Sequence, residues 1–360
     1  MGVLRGLNDN TVDLIYLDPP FNSNREYSAP TGREAEGASF NDKWSWGGVD
    51  QEYLALLEKN DPPQFSVINT ARQVHSGGQA AYLVMMSERL VEMRRVLKDK
   101  GSIYLHCDQS ASHYLKLLMD SIFGRKNFRN EIIWKRVSHH AGSKGYGRIT
   151  DSILLYGAPF VNVDAIRTPL NPEHERNAYR HKDARGVFST VDLVSHTQGR
   201  YRYNFHGRDG PWIRSERSML ELEADGRIYF PKTPGAYPRM RFYLHENKGM
   251  VVPNLWTDIS NIAGRNEATG YPTQKPVELL ERIIKASSNP GDVVLDPFCG
   301  SATTCEAAEK LGRQWVCIDI SANAADVVRT RLKETLNREA PMFNDGIVIH
   351  RTDLPTRTDC

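Results

Sequence analysis

The stretch Asp292-Val293-Val294-Leu295-Asp296-Pro297-Phe298-Cys299-Gly300-Ser301-Ala302-Thr303-Thr304 decides the architecture of this chain. Residues 292–295 are a short aliphatic run of the kind that fills a buried parallel strand, and Thr303–Leu311 carries apolar residues at helical steps. The two are joined by one tight turn, which makes a βα unit. Gly300 lets the backbone of that turn approach a ligand, and the helix start offers free N–H donors. A generic βα turn reads the same way, and the three-glycine dinucleotide fingerprint is absent. Asp319 follows at the end of the next strand, Trp315–Ile318. A carboxylate there can hold two ribose hydroxyls or cap the helix that begins beyond it.

Working outward, the same rhythm recurs. Val12–Leu17, Ser102–Cys107, Asn130–Lys135 and Ser152–Tyr156 read as further strands. Ser87–Leu97, Ser110–Phe123, Val277–Ala286 and Ala322–Leu336 read as helices. Alternating strands and helices predict an α/β fold around a largely parallel sheet. Two stretches interrupt the rhythm. Residues 22–79, rich in Gly, Ser, Asn, Asp and Pro, read as a functional lid or a partly disordered segment. From Gly157 to about Gly270, turn signals such as Asp209-Gly210-Pro211 and Pro234-Gly235 stand among aromatic residues, which predicts an inserted module.

A second motif, Asp18-Pro19-Pro20-Phe21, directly follows Val12–Leu17. In open α/β sheets, ligands sit beyond the carboxyl ends of strands, where both motifs fall. The Asp18 carboxylate and the Pro19 carbonyl can accept hydrogen bonds from a substrate amine, and the two prolines fix the backbone that aims them. Phe21 supplies a face for stacking a base. An isolated Asp-Pro-Pro also simply ends a strand in a rigid turn.

Composition narrows the class. With 40% hydrophobic and 25% charged residues over 360 positions, the chain has the makeup of a globular enzyme, and it contains no apolar run of membrane-spanning length. The start, Gly2-Val3-Leu4-Arg5, lacks a signal-peptide hydrophobic region, which predicts a cytoplasmic protein without membrane association. The five cysteines form no Cys-x-x-Cys pair, which predicts neither disulfides nor a metal site. Net charge is +2, but residues 157–256 hold 15 Lys plus Arg against 11 Asp plus Glu, a local excess that suits a polyanion.

Taken together, these residues resemble the amino-methyltransferases of DNA, in the class whose catalytic motif precedes the cofactor motif. Asp18-Pro19-Pro20-Phe21 is similar to the catalytic tetrapeptide, and Asp296-Pro297-Phe298-Cys299-Gly300-Ser301 to the S-adenosylmethionine loop. Tyr271-Pro272-Thr273-Gln274-Lys275-Pro276 is similar to the segment that closes over the methionine moiety. Gly101–Asp108, Asn130–Arg136, Asp151–Tyr156 and Leu255-Trp256-Thr257-Asp258 extend the resemblance. The chain departs from many relatives in having Ala302 in place of glycine, and the sequence starts at the place, just upstream of Val3, where the family usually has an acidic residue.

The resemblance implies a Rossmann-like S-adenosylmethionine-dependent methyltransferase sheet with an inserted target-recognition domain. Its expected division is 1–157 and 269–338 for the methyltransferase domain, 158–268 for target recognition and 339–360 for a polar tail. Expected catalytic residues are Asp18, Pro19, Pro20 and Phe21. Asp296, Phe298, Gly300, Ser301, Asp319, Thr273 and Lys275 are expected to bind S-adenosyl-L-methionine, and no metal is expected. Arg200, Arg202, Arg208, Arg214 and Arg217 are candidate contacts to double-stranded DNA. Because a base inside a duplex cannot reach such a site, the target would be flipped out, with Tyr27, Trp44 and Trp46 available to wall the pocket. The expected reaction is methylation of adenine N6 at a specific sequence, within restriction-modification, with room for an endonuclease partner or a homodimer. The alternatives are N4-cytosine methylation, whose enzymes more often carry serine at position 18, and a catalytically silent DNA-binding relative.

Overall fold

The computed structural model describes residues 1–29, 39–138, 145–157, 161–195, 201–262, 267–320 and 327–332 except 329. They fall into two compact units, one of residues 1–165 together with those from Pro253 onward, the other Ile166–Val252. These limits lie inside the 158–268 span read from the sequence.

The first unit opens with α1 (Gly2–Gly6), β1 (Val12–Leu17) and a small hairpin of β2 (Glu26–Ser28) and β3 (Ser39–Asn41). There follow α2 (Gln51–Asn60), α3 (Pro62–Val74), α4 (Gly77–Val96), β4 (Leu97–Cys107), α5 (Ser112–Met119), β5 (Phe128–Lys135) and β6 (Thr150–Gly157). Of residues 22–79, read from the sequence as a lid or a partly disordered segment, the described ones include a hairpin and two helices, and 30–38 lie outside the described residues. Pro62 and Pro63 stand at the first helical positions of α3, where a missing N–H costs nothing. Asp50 caps α2 by accepting from the Glu52 and Tyr53 amides. Read as breakers, these residues are helix starters.

The second unit comprises α6 (Pro172–Ala178), β7 (His181–Asp183), β8 (Gly186–Asp192), β9 (Tyr201–Phe205), β10 (Arg208–Trp212), α7 (Glu216–Ala224), β11 (Ile228–Tyr229) and β12 (Arg239–Tyr243). Its strands form a four-stranded sheet, β11-β12-β8-β7, and a two-stranded ribbon, β9 with β10. Leu193, Phe205, Trp212, Met219 and Ile228 make its small core.

The chain returns to the first unit as β13 (Leu255–Trp256), α8 (Val277–Ser287), β14 (Val293–Asp296), α9 (Thr303–Lys310) and β15 (Gln314–Cys317). The main sheet has seven strands in the order β13-β5-β6-β4-β1-β14-β15. All pairings are parallel except those of β6, which runs against both its neighbours. This is the mixed α/β fold of a doubly covered sheet. Ile15 and Leu17 of β1 join a core with Leu83, Leu90, Met93 and Val96 of α4, and Leu14 and Tyr16, on the other face, are equally buried. Hence β1 reads as an almost unbroken apolar run. Across the sheet, Tyr104 of β4 meets Ser287 of α8 through their hydroxyls at 2.7 Å.

The cysteines depart from expectation. Cys305 of α9 and Cys317 of β15 are joined as a disulfide, with Cα atoms 6.8 Å apart. A crossover helix packs back over the next strand, so two cysteines 12 positions apart come together although no spacing rule pairs them. Among the described residues, no helix is long and apolar enough to cross a membrane.

Candidate functional site

From β1 the chain crosses to β4 on one side of the sheet, and from β14 it crosses to β15 on the other. The strand order thus reverses between β1 and β14, the place where an open α/β sheet leaves a crevice at its carboxyl edge. A cavity of about 540 Å³ opens there, a volume suited to a small-molecule ligand. Every catalytic and cofactor candidate read from the sequence lines it: Asp18, Pro19, Pro20, Phe21, Thr273, Lys275, Asp296, Phe298, Gly300, Ser301 and Asp319. Their gathering follows from register, since Ile15 of β1 lies beside Leu295 of β14, and Asp296 lies beside Cys317 of β15.

The loop after β14 is held from within. The Phe298 amide donates to Asp296 Oδ1 at 3.0 Å, and the Thr304 hydroxyl donates to Asp296 Oδ2. The Gly300 amide donates to Asp319 Oδ2 at 2.8 Å. Arg331, itself buried, donates to the Ser301 carbonyl at 2.6 Å and pairs with Glu306. Gly300 has φ +45°, and a Cβ placed on it would stand 2.9 Å from the Tyr271 ring. Ala302 also takes a left-handed conformation, with φ 60°, which accounts for the preference for glycine at this place. Burial pushes the Asp296 carboxyl up to about 7, reinforced by Asp18 and Asp319 and opposed by the Thr304 and Phe298 hydrogen bonds.

The loop after β1 is pinned by residues the sequence reading did not single out. The buried Asp42 carboxylate accepts from the Asn22 and Ser23 amides at 2.9 and 2.7 Å. Ser110 donates to the Phe21 carbonyl at 2.8 Å. The Phe21 ring stacks on His106, centroids 6.0 Å apart. His106 is fully buried and joins the Tyr16 hydroxyl at 3.0 Å through Nδ1 and Asp151 at 3.2 Å through Nε2. Burial alone would raise the Asp151 carboxyl, but the His106 hydrogen bond and the nearby His106, Lys275 and Arg136 hold it below its usual value. The only signal for this chain was a polar residue, His106, inside an apolar strand. Tyr27 and Trp44 line the cavity, whereas Trp46 lies outside it under the Arg72 guanidinium, 4.2 Å from the ring centroid.

Lys275, expected at the cofactor, lines the same cavity and is paired within it. Its ammonium donates to Asp18 Oδ2 and to the Thr273 carbonyl, the latter at 3.2 Å. Asp18 Oδ1 is buried and has no hydrogen-bond partner among the described residues.

The arginine candidates lie in the second unit. Arg202, on β9, is exposed, and Arg208 and Arg214 are half-buried. Arg214 reaches the Met240 sulfur at 3.8 Å, and the exposed Arg217 pairs with Glu221 one helical turn on at 3.0 Å. Arg200 lies outside the described residues. Neighbouring arginines are more fully committed, Arg227 to Glu246 and Asp225, and Arg241 to Asp183.

The cavity suits S-adenosylmethionine on its own chemistry. Asp18 and Asp319 line it with carboxyl groups that would face a cationic ligand, Phe298 and Tyr271 add apolar wall, and Gly300 puts no side chain into the loop.

The type II methyltransferase M.EcaI of Enterobacter cloacae is 35% identical over 289 residues, covering 77% of this chain and 63% of that protein. The Mod subunit of the type III restriction-modification enzyme StyLTI of Salmonella typhimurium is 31% identical over 337 residues, 87% of this chain and 49% of its own length. The DNA adenine methyltransferase YhdJ of Escherichia coli is 26% identical over 265 residues, 73% and 70% of the two chains. The aligned region thus spans about half to two thirds of the first two relatives. The N6/N4 methyltransferase profile, that of a DNA methylase, matches residues 12–330, from β1 to beyond β15. With both motif loops inside that match and facing one cavity, this chain belongs to the N6/N4 DNA methylase family, whose enzymes use S-adenosylmethionine.

Proposed function

We propose that this protein methylates the N6 amine of adenine in a specific duplex DNA sequence. The observation that carries the reading is Asp18 Oδ1, an acceptor buried without a partner among the described residues, on the residue that lines the same cavity as the Asp296–Gly300 loop and Asp319. An exocyclic amine delocalises its lone pair into the ring and is a poor nucleophile. Hydrogen bonds from its two N–H groups to Asp18 Oδ1 and the Pro19 carbonyl favour a tetrahedral nitrogen whose lone pair is free. Phe21, braced by His106, offers the face on which a flipped base stacks. S-adenosylmethionine, when bound, supplies the electrophilic methyl group. Asp319 and the Gly300 turn would hold the cofactor, and Asp296 keeps that turn in shape.

Asp18 favours adenine over cytosine, since the N4-cytosine enzymes that the chain resembles more often have serine there. The adenine specificity in the name of the YhdJ relative supports the same choice. The second unit, Ile166–Val252, with its exposed Arg202 and Arg217, is the segment we assign to target recognition. The restriction-modification name of the StyLTI relative supports a cognate endonuclease as partner.

The test is to incubate the protein with duplex DNA and methyl-labelled cofactor and to identify the modified nucleoside. N6-methyladenine is expected. N4-methylcytosine would overturn the adenine assignment, and no labelled DNA would overturn the activity.

A further inference from the structure

We infer that Lys275 is a positioning residue for Asp18, holding Oδ2 so that Oδ1 is the one carboxylate oxygen offered to the target amine. The inference rests on the function proposed above. It starts from an asymmetry. The two oxygens of one carboxylate share a single carbon, yet Oδ2 is paired and Oδ1 is buried without a partner among the described residues. A buried acceptor left unmade costs about 1–3 kcal/mol, so a folded chain keeps one where a ligand will complete it. A purely structural ion pair gives no reason for leaving the second oxygen open.

The lysine is itself held tightly. Its side chain is 9% exposed, and that of Asp18 is 17% exposed. Besides Asp18, the ammonium donates to the Thr273 carbonyl, and it sits 5.5 Å from the centroid of the Phe21 ring. One cation therefore touches both ends of the Asp18–Phe21 motif. The turn that aims it is over-determined: Thr273 has φ 66°, a left-handed conformation that is unfavourable for a β-branched residue. Gln274 next to it is buried and braced, accepting from the Thr269 amide and hydroxyl at 3.0 and 2.7 Å and donating to the Glu267 carbonyl at 2.7 Å. With three N–H donors and no acceptor, the ammonium can only steady the carboxylate and cannot compete with it for the amine proton.

The experiment compares the full chain with Lys275→Met and Lys275→Arg. It measures kcat and KM for methyl transfer to duplex DNA and, separately, the calorimetric Kd of S-adenosylmethionine without DNA. For Lys275→Met the expected result is a kcat loss on the order of 10²-fold, the scale of a misaligned reacting group. Its cofactor Kd should stay within about threefold of wild type, since a positioning role spares ground-state cofactor binding. Lys275→Arg, which keeps a cationic donor for Oδ2, should recover at least about tenfold of the lost kcat. A weakened cofactor Kd with normal kcat would overturn the inference and make Lys275 a cofactor contact. Normal kcat in Lys275→Met, or no recovery in Lys275→Arg, would overturn it as well. If the methionine variant does not fold, Lys275→Gln takes its place, with the same kcat loss and the same retained Kd expected. Failure of the wild-type chain to methylate any DNA would remove the proposed function itself, which these variants do not test.

Discussion

The Gly300 amide donates to the Asp319 carboxylate at 2.8 Å, tying the loop after β14 to the end of β15. That bond holds the turn at φ +45° directly against the Tyr271 ring. A branched side chain at position 300 must both leave this conformation and push Tyr271 aside. Gly300→Val should therefore weaken S-adenosylmethionine binding by at least about tenfold, or 1.4 kcal/mol. Calorimetry on the folded variant checks this, and unchanged affinity would separate the loop from the cofactor.

Asp18→Ala removes the buried acceptor Oδ1 while leaving the Asp296–Gly300 loop and Asp319 in place. Methyl transfer should fall by about 10³-fold or more, the scale of losing a preorganised hydrogen-bonding group, while cofactor Kd changes little. Single-turnover kinetics beside a binding isotherm separates the two. Near-normal turnover would remove Asp18 from the chemistry.

Burial raises the Asp296 carboxyl from its usual 3.8 to about 7. Between those values the native chain holds a proton there that the unfolded chain has released. The associated stability is complete below pH 3.8 and is lost as pH rises through about 7. Asp296→Asn does not titrate, so its Tm relative to wild type should shift upward between pH 5.5 and pH 8.5 in cofactor-free protein. A difference that is flat with pH would show that Asp296 does not carry this proton.

His106 satisfies both the Tyr16 hydroxyl and Asp151 inside the sheet. His106→Leu keeps the bulk but takes the Tyr16 hydroxyl's partner away and leaves Asp151 to its Arg136 ion pair, which should cost on the order of 3 kcal/mol. Thermal unfolding should show a Tm lower by roughly 4–5 °C. Retention of the wild-type Tm would mean that these groups find other partners.

The exposed Arg217, paired with Glu221 on its own helix, is expected to contact phosphate. Arg217→Ala should weaken binding to all duplexes alike and lower the salt slope by about 1. Arg202 is expected to read a base, so Arg202→Ala should relax preference at one position when methylated sites are mapped on a random DNA library. If alanine at positions 200, 202, 208, 214 and 217 leaves site preference, affinity and salt slope unchanged, recognition lies elsewhere.

The sequence alone determined the elements that depend on near neighbours. Val12–Leu17 is apolar almost throughout because a central parallel strand is buried on both faces, and its limits match those read from that pattern. The motifs at Asp18 and Asp296 were legible because each ends such a strand. Helix starts were less legible. Pro62-Pro63 breaks a helix in its interior and begins one at its first turn, and composition does not distinguish the two positions.

Tertiary structure decided which side chains meet. Lys275 reaches Asp18 across 257 positions because strand order sets the carboxyl ends of β1 and β14 side by side, and no periodicity encodes that order. The same holds for Tyr16, His106 and Asp151, which come from β1, β4 and β6. It holds too for the Cys305–Cys317 bond, made where a crossover helix folds back on its strand. Hydrophobic pattern and turn chemistry act over a few residues. A charge or a hydrogen-bonding group finds its partner only after burial has excluded water and the sheet has chosen its neighbours.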